Sequence, residues 1–456
     1  MLINITKETL SDKKITIIGL KKSGYAAALL GHELGANIFV SDIGNNSDII
    51  TKKNTLIKKG ISVEIGNHSN LIYDADFWVI SPGVPNDIEI IKQAIKLNIP
   101  IIGEIEFASR FTNLPIIAVT GSNGKSTTVN ILYSMLKTDK LQPILAGNIG
   151  IPFSEKVHEE LKNPDLGNIY ILEISSFQLE FIDQFRPTIC AFLNISPDHL
   201  DRHKNIDKYL KMKLRMIKNH KKNDILVYNI DDLVLDKVFK NYKIKKIPFS
   251  ISIKTPFFGF NETKIYNENN EPYIFIDDIT LKGKHNLSSL IAAATIAKLM
   301  NVNDDVIIDT MKKFSGIDHR LQVIEKVNGI TYVNDSKATN IHSVIVAINS
   351  FKTPIILLLG GKNKNSDFRL LLPHTKRHVK HIVSYGEAGG EIAAAIGDAV
   401  RLNCVSSLSE AVASAHNLAS TGDVVLMSPG CASFDQFNNF EERGEKFISL
   451  VNEIIK

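Results

Sequence analysis

A glycine-rich loop between an apolar run and a helix-compatible segment constrains the fold of this chain more than any other stretch. Residues 116–128 read IIAVTGSNGKSTT, so a short β-prone run enters a tight loop and leaves it through Lys125 and Ser126. In loops of this kind, backbone N–H groups at the start of a helix converge on phosphate oxygens, the lysine adds positive charge and the hydroxyl suits Mg²⁺. The longer form of the motif has glycine at 119, where this chain has Val119, so the shorter form GSNGKS is present. A simple turn is the alternative, but the strand before the loop and the helix after it favour nucleotide binding.

Length, composition and cysteine usage narrow the class of protein. The 456 residues suggest about three domains, and 44% hydrophobic with 22% charged residues is typical of a globular protein. Three widely spaced cysteines predict neither a disulfide framework nor a zinc site, which favours a reducing compartment. No secretory signal and no apolar run of ~18 residues is found, so we expect a cytoplasmic protein with no membrane partner. The net charge of +4 is small and the lysine-rich stretch 204–222 is most simply a solvated helix face, so no nucleic-acid partner is expected.

The first hundred residues predict a small α/β domain. Residues 14–42 read as strand, turn, helix and strand, the opening of a doubly wound unit. The turn is not a dinucleotide fingerprint, because Lys21 stands where a glycine would be needed. Asp42 ends the second strand, where a carboxylate either binds a ribose or a base edge or caps a turn. The apolar run 77–85 ends in a Pro/Gly turn, which we expect at the ligand-binding edge of the sheet.

Acidic and histidine residues after the glycine-rich loop predict a metal site. Glu173 interrupts an apolar strand, and a buried carboxylate is costly unless it is paired or binds a metal. It is therefore a candidate Mg²⁺ ligand, with a paired structural acid as the alternative. Residues 190–203 read as a strand and a loop with two aspartates, an arginine and two histidines, which is typical of a site rather than of a core. For His203 alone, capping of the next helix is the alternative.

The last third of the chain repeats the alternation of apolar strands with polar, Gly-bearing loops. Residues 330–340, 354–368 and 424–444 each show it, which places these loops at one edge of a sheet. The predicted fold class is α/β, with three domains that are each a mainly parallel sheet flanked by helices, and with a central P-loop ATPase domain. The predicted domains are 1–103, 104–316 and 317–456, with the glycine-rich loop in the central one.

Eight segments together resemble the Mur ligases in order and spacing over nearly the whole chain. They are GSNGKS, LEISSFQLE, NISPDHLDRH, KGKHN, DHRLQ, NDSKATN, LLLGGKNKNSDF and SPGCASFDQF. LEISSFQLE, NDSKATN and SPGCASFDQF are similar to the members of this family that add D-glutamate. The chain departs from the family pattern at Lys21 and at Ser289, where a second asparagine is usual near the adenine.

The resemblance implies an ATP-dependent ligase that adds D-glutamate to UDP-N-acetylmuramoyl-L-alanine in the cytoplasmic stage of peptidoglycan synthesis. ATP would first convert the substrate carboxyl into an acyl phosphate, which the amine of D-glutamate then attacks. The implied cofactors are ATP and Mg²⁺, the implied partners are the two substrates, and the expected state is a monomer. Catalysis would rest on positioning and charge neutralisation of crowded anionic oxygens.

The same resemblance implies that domain 1–103 binds the UDP-sugar, 104–316 binds ATP and 317–456 binds the amino acid. It also implies a role for individual residues. Those expected at the nucleotide are Gly121, Ser122, Asn123, Gly124, Lys125, Ser126, Thr127, Asn286, Arg320 and Asp335. Those expected at the UDP-sugar or its carboxylate are Ser23, Asp42, Ser81, Pro82, Gly83, Asn148 and His319. Those expected at D-glutamate are Thr339, Lys364, Ser433 and Phe440. The expected metal ligands are Ser126, Glu173, His199 and a carbamate on Lys213, and the expected catalytic residues are Lys125, Glu173, His199 and Lys213.

Two other classes of protein stay open on the sequence. Another ATP-driven amino-acid ligase, of the Mur or folylpolyglutamate type, shares the glycine-rich loop and the KGKHN segment. A nucleotide-binding protein without catalysis is the second alternative, but it has no need of the acidic and histidine cluster around His199. Composition by itself would make Lys213 one more solvated lysine on a basic helix.

Overall fold

Strands and helices alternate along most of the chain, as the apolar runs predict. The structure, a computed structural model, describes residues 5–198, 200–363 and 366–455. Two compact units form, Met1–Phe314 and Ser315–Lys456. Three mainly parallel sheets flanked by helices confirm the predicted α/β class, whereas the domain limits at 103 and 316 stay predictions. No helix of the described residues is long and apolar enough to cross a bilayer.

The first sheet is doubly wound. Its strands are β1 (Lys14–Ile18), β2 (Asn37–Asp42), β3 (Ser62–Ile65), β4 (Phe77–Ile80) and β5 (Ile101–Gly103). Its helices are α1 (Lys7–Leu10), α2 (Lys22–Glu33), α3 (Ser47–Lys58), α4 (Glu89–Lys96) and α5 (Glu104–Ser109). The strands are parallel in the order β3-β2-β1-β4-β5, so β2 and β3 are added on one side of β1, and β4 and β5 on its other side. Ligands of such sheets bind at this switch point, where the turn after β4 lies.

The second sheet carries the glycine-rich loop. Its strands are β6 (Ile116–Thr120), β7 (Pro143–Gly147), β8 (Ile169–Glu173), β9 (Ile189–Phe192), β10 (Ile225–Asn229) and β11 (Lys246–Phe249). Its helices are α6 (Lys125–Leu136), α7 (Phe153–Lys162), α8 (Leu200–His203), α9 (Ile206–Leu214), α10 (Leu233–Phe239), α11 (Lys284–Leu299) and α12 (Asp304–Lys313). A small antiparallel sheet is formed by β12 (Gly259–Phe260), β13 (Lys264–Tyr266) and β14 (Pro272–Phe275). The parallel order β11-β10-β9-β6-β8-β7 puts β6 between β9 and β8, so both neighbours end beside the loop.

The third sheet forms the second compact unit. Its strands are β15 (Gln322–Val327), β16 (Ile330–Asn334), β17 (Ile355–Gly360), β18 (Val379–Tyr385), β19 (Leu402–Val405) and β20 (Val424–Gly430). Its helices are α13 (Ile341–Asn349), α14 (Leu372–His378), α15 (Gly389–Ile396), α16 (Leu408–Leu418) and α17 (Phe440–Ile455). The order is β15-β16-β20-β17-β18-β19; within the described residues of this sheet the edge pair β15-β16 is antiparallel and the other neighbouring pairs are parallel. The loops after β16, β17 and β20 therefore meet at one edge, as predicted.

Helix α5 joins the first sheet to the second through two buried glutamates. Glu106 is fully buried and accepts hydrogen bonds from the backbone N–H groups of Asp183, Gln184 and Phe185. Glu104 accepts one from the N–H of Ser154, in the first turn of α7, at 2.6 Å. Its second carboxylate oxygen has no hydrogen-bond partner among the described residues. Burial raises the pKa of Glu104 to about 7.

The buried carboxyl of Glu104 predicts a pH-dependent stability. The pKa is raised in the folded state, so the native protein retains a proton that the unfolded chain releases, and stability falls as pH rises from ~4.5 to ~7. Glu104→Gln removes this ionisation. We expect the variant to be more stable than the wild type at pH 8, by roughly 1–3 kcal/mol, and equally stable at pH 5. Melting temperatures of both proteins from pH 5 to 8 check this, and a difference that does not change with pH would contradict it.

Candidate active site

The glycine-rich loop adopts the geometry that phosphate binding needs. It lies between β6 and α6, and Gly124 just before the helix has a φ of +81°, in the left-handed region that favours glycine. A Cβ on Gly124 would also lie 3.0 Å from the hydroxyl of Ser289. The Lys125 ammonium donates to the carbonyl oxygens of Gly121 and Ser122, each at 2.9 Å. The lysine thus folds over the loop at the N-terminus of α6, where anions bind favourably.

Residues at the end of β9 hold this loop in place. The Asn194 side chain accepts from the N–H of Asn123 at 2.8 Å and donates to its carbonyl oxygen at 3.1 Å. The Ser122 hydroxyl donates to the Ser196 carbonyl and accepts from the Ser196 N–H, both at 2.9 Å. Sequence reasoning missed Asn194 and Ser196. The sequence pattern that could have indicated them is the segment Asn-Ile-Ser directly after a buried strand. It points to the glycine-rich loop only once β9 is known to lie beside β6.

Glu173 is a buried acid at the end of β8, as predicted. It pairs in register with Val119, just before the glycine-rich loop, and is 2% exposed. The Asn148 side-chain amide donates to its Oε1 at 2.8 Å. The other oxygen, Oε2, is buried and has no hydrogen-bond partner among the described residues. A half-satisfied buried carboxylate beside a phosphate-type loop fits a divalent cation better than a fully paired structural acid.

Lys213 is 1% exposed, so its interpretation as a solvated lysine is wrong. Its amine donates to the Thr120 hydroxyl at 3.2 Å and to the Gly121 carbonyl at 2.9 Å. It also lies 4.6 Å from the centre of the Tyr209 ring. Burial lowers the pKa of the Lys213 amine well below its usual range, and the nearby charge of Lys125 lowers that pKa further. The Lys213 amine therefore lies beneath the glycine-rich loop, at the point where β6 enters it.

Two predicted residues, His199 and Lys364, lie outside the described residues. Within the described part of the chain, no group of three His, Cys, Asp or Glu residues is arranged to hold a metal ion. The predicted second metal site at His199 and Lys213 therefore stays a prediction. Two described acids, Asp198 and Glu173, lie close enough to Lys213 for their charges to raise the pKa of that amine against the effect of burial.

At the switch point of the first sheet, backbone turns surround Asp42. Its carboxylate accepts from the N–H groups of Leu20 and Gly44, so it braces the turns after β1 and β2. The Ser81 hydroxyl is buried and donates to the carbonyl of Gly19 at 3.1 Å. Asp42 thus has the turn-capping role that was the alternative, and its contact with a nucleotide stays a prediction. The other residues predicted near the UDP-sugar here are Ser23 in α2, and Pro82 and Gly83 after β4.

In the second compact unit, Asp335 follows β16 and is 4% exposed. It accepts from the Ser428 hydroxyl at 2.7 Å and from the Leu321 N–H at 3.2 Å. Burial raises the pKa of Asp335 to about 7, and the charge of Arg320 opposes that rise. His319 is buried with a φ of +63°, and its Nδ1 lies 3.0 Å from the Asn334 amide. The predicted pair His319 and Arg320 therefore borders the same loop as Asp335.

Arg443, which sequence reasoning missed, organises the loops predicted to bind D-glutamate. It is fully buried and donates to the Ser336 hydroxyl at 3.0 Å and to the Cys431 carbonyl at 3.1 Å. The Ser336 hydroxyl in turn donates to the carbonyl of Phe440 at 2.7 Å. These bonds fix the segment that contains Ser433. Thr339 lies on the loop after β16, and Asn286 is buried in the first turn of α11 within the other unit.

Three family models match successive parts of the chain. They are described as Mur ligase MurD-like, N-terminal domain over residues 13–103, Mur ligase middle domain over 119–297, and Mur ligase, glutamate ligase domain over 319–431. Fold and loop define an α/β protein with three main sheets and a phosphate-type loop on the second. The chain belongs to the Mur ligase family, because these three models succeed one another along it and a relative named as such a ligase is 38% identical over 97% of this chain.

Two relatives of the chain carry the same name. It is 38% identical over 449 residues to the UDP-N-acetylmuramoylalanine–D-glutamate ligase of Acidobacterium capsulatum, with 97% of this chain and 96% of the relative covered. The ligase of that name from Bacillus cytotoxicus is 38% identical over 452 residues, with 97% and 98% covered.

Solved structures share the fold. UDP-N-acetylmuramate-alanine ligase MurC of Thermotoga maritima matches with a TM-score of 0.61 at 17% identity, over 97% of this chain and 100% of that one. The MurF ligase of the same organism, in complex with ADP, matches with a TM-score of 0.61 at 15% identity, over 98% of each chain. At these identities the likeness shows the fold alone.

Proposed function

We propose that this protein is the ATP-dependent ligase that joins D-glutamate to UDP-N-acetylmuramoyl-L-alanine in peptidoglycan synthesis. One observation carries the proposal: the chain is 38% identical, over 97% of its length, to ligases named for this reaction. The phosphate-type loop with Lys125 supplies the ATP chemistry that such a reaction needs.

The reaction needs activation because a carboxylate is a poor acceptor for an amine. A carboxylate oxygen of UDP-N-acetylmuramoyl-L-alanine attacks the γ-phosphorus of ATP, and ADP leaves. The amine of D-glutamate then attacks the acyl carbon, phosphate leaves with that carboxylate oxygen, and the amine loses a proton to solvent. Lys125 and the backbone N–H groups at the start of α6 stabilise the negative charge on the phosphate oxygens.

Residues around the loop fit a magnesium ion. The Oε2 of Glu173, which has no hydrogen-bond partner in the described part of the chain, and the hydroxyl of Ser126 would hold one ion. Bound Mg²⁺ supplies positive charge that neutralises phosphate oxygens. Asn148 fixes the other oxygen of Glu173 and so orients the carboxylate. For a second ion, Lys213 would contribute as a carbamate together with His199, and the burial that favours its neutral amine supports uptake of CO₂.

Substrate contacts follow from where the loops lie. The UDP-sugar would bind at the switch point of the first sheet, near Asp42 and the turn after β4. D-Glutamate would bind in the second unit, near Ser433 and Thr339 on loops that Arg443 fixes. The predicted nucleotide contacts Asn286, Arg320 and Asp335 and the substrate contact His319 belong to the same proposal.

A comparison of amino acids tests the proposed function. Phosphate release from ATP is measured with UDP-N-acetylmuramoyl-L-alanine and, in turn, D-glutamate, L-glutamate, L-alanine or meso-diaminopimelate. We expect release above background with D-glutamate alone. Equal or faster release with another amino acid would assign the chain to a different ligase of the family, and no release with any of them would contradict the proposal.

Selectivity for D-glutamate is expected to depend on Lys364. Lys364→Met keeps the length of the side chain but removes the charge that would bind a carboxylate of D-glutamate. A hydrogen bond to a charged group is worth about 1.5–3 kcal/mol, so KM for D-glutamate should rise roughly ten- to hundredfold while KM for ATP stays unchanged. The control is Lys362→Met, because the Lys362 side chain is exposed and its ion pair with Glu387 is loose, at 3.7 Å. Wild-type dependence on D-glutamate in the Lys364 variant would remove that residue from the site.

A further inference from the structure

Arg202 lies where the first sheet meets the second. Its guanidinium donates to the carbonyl oxygens of Pro82 at 3.2 Å and Val84 at 2.9 Å, both in the turn after β4. It also forms a two-point ion pair with Glu180, whose side chain is 2% exposed. A planar guanidinium held by a carboxylate at two points has a fixed orientation. The turn after β4 is therefore tied to the second sheet with a defined geometry.

A stack of side chains runs from this guanidinium to the glycine-rich loop. Arg202 lies 4.5 Å from the centre of the Phe177 ring, and the His203 ring stacks on Phe177 with the ring centres 5.4 Å apart and the planes at 18°. The ring centres of His203 and Tyr209 are 5.3 Å apart, and the Lys213 amine lies 4.6 Å from the centre of the Tyr209 ring. The stack thus links the turn after β4 to the amine that donates to the loop carbonyl. Cation–π and aromatic contacts of this kind favour particular geometries.

His203 is a member of this stack and not a helix cap, which corrects the alternative drawn from the sequence. Its ring is 5% exposed, and its Nε2 lies 2.9 Å from the Ser176 hydroxyl. The cap of α9 is Asn205, whose side chain accepts from the Lys208 N–H. The segment 202–209 therefore turns both Arg202 and His203 inward.

We propose that Arg202 is a positioning residue for the UDP-linked substrate. It holds the turn 81–84 in the conformation that receives this substrate, at one end of a stack whose other end is Lys213. The inference rests on the proposed function, because that function makes the turn a substrate contact. Lysine cannot replace Arg202, since a single ammonium does not reach Glu180 and two carbonyls in one plane.

The test is steady-state kinetics of Arg202→Lys in the full chain. We expect kcat/KM for UDP-N-acetylmuramoyl-L-alanine to fall at least tenfold, while KM for ATP stays within twofold of the wild type. For Arg202→Ala, added guanidinium should raise kcat/KM for the UDP-linked substrate at least threefold. A protein that had simply lost its fold would not recover in this way. If Arg202→Lys does not fold, Phe177→Leu removes the aromatic partner of Arg202 and should give the same selective loss.

The matched control is Arg186→Lys. Arg186 forms a similar two-point ion pair with Asp224 in the same compact unit, at 2.7 Å for both bonds, and within the described residues it makes no hydrogen bond to the turn 81–84. Both kinetic constants of the Arg186→Lys protein should match those of the wild type.

The inference would be overturned if a folded Arg202→Lys protein had wild-type kcat/KM for the UDP-linked substrate. It would also be overturned if kcat/KM fell equally for the UDP-linked substrate and for ATP. Wild-type protein that makes no amide would instead overturn the proposed function, so the two failures are distinguishable.

Discussion

Lys125→Ala is expected to lose most ligase activity while the protein stays folded. The ammonium lies over the loop on two carbonyl oxygens, at the N-terminus of α6, and is the cation best placed to follow the transferred phosphoryl group. Removal of one such electrostatic contact typically lowers kcat by about 10²- to 10³-fold. We expect the sheet to stay intact, because the core beneath the loop is formed by the buried residues of β6 and of α6.

The measurement is kcat for amide formation, with a thermal melt to verify folding. Lys137→Ala is the control, since Lys137 is exposed at the other end of α6 and should leave kcat within about twofold. Turnover near the wild-type value in Lys125→Ala would mean that this loop does not bind the reacting phosphates.

Lys213→Arg is expected to be as damaging as Lys213→Ala, with each losing at least about 10²-fold in kcat. The amine is 1% exposed and donates to Thr120 and Gly121 at the base of the loop. A guanidinium is larger and stays charged, so it neither fits that position nor takes up CO₂ as a neutral amine does. In carbamate formation the neutral amine nitrogen bonds to the carbon of CO₂ and loses one proton, which converts a potential cation into an anionic oxygen ligand.

The neighbouring lysine provides the control for this prediction. Lys211 lies on α9 two residues earlier and is exposed, so Lys211→Ala should leave kcat within about twofold. Full activity of Lys213→Arg would show that a permanent cation serves at this position and would exclude the carbamate.

Local pattern was enough to predict the elements that carry the site. The glycine-rich loop, the strand before it and the helix after it are contiguous, and Glu173 could be recognised as an acid in a buried strand. The hydrogen bond from the loop to Asn194 could not be predicted, because it depends on β9 lying beside β6. The order of strands in a sheet cannot be deduced from the spacing of residues along the chain.

Long-range packing explains the other differences between the sequence-based expectations and the structure. Composition placed Lys213 in solvent, whereas the packing of α9 against the second sheet buries it. Asp42 looked available for a ligand, but the turns after β1 and β2 direct two N–H groups at its oxygens. Arg443 reads as an ordinary charge in a polar helix, and its burial follows from where α17 begins against the loop after β20.

The most direct test of the ligase mechanism is an isotope experiment. UDP-N-acetylmuramoyl-L-alanine labelled with ¹⁸O in its free carboxylate is incubated with the enzyme, ATP, Mg²⁺ and D-glutamate, and both products are measured by mass spectrometry. We expect a nucleotide product heavier by one glutamate residue and inorganic phosphate that carries one ¹⁸O per turnover, because the carboxylate oxygen leaves with the phosphate. Unlabelled phosphate would contradict the acyl-phosphate route, and the absence of the amide product would contradict the proposed activity itself.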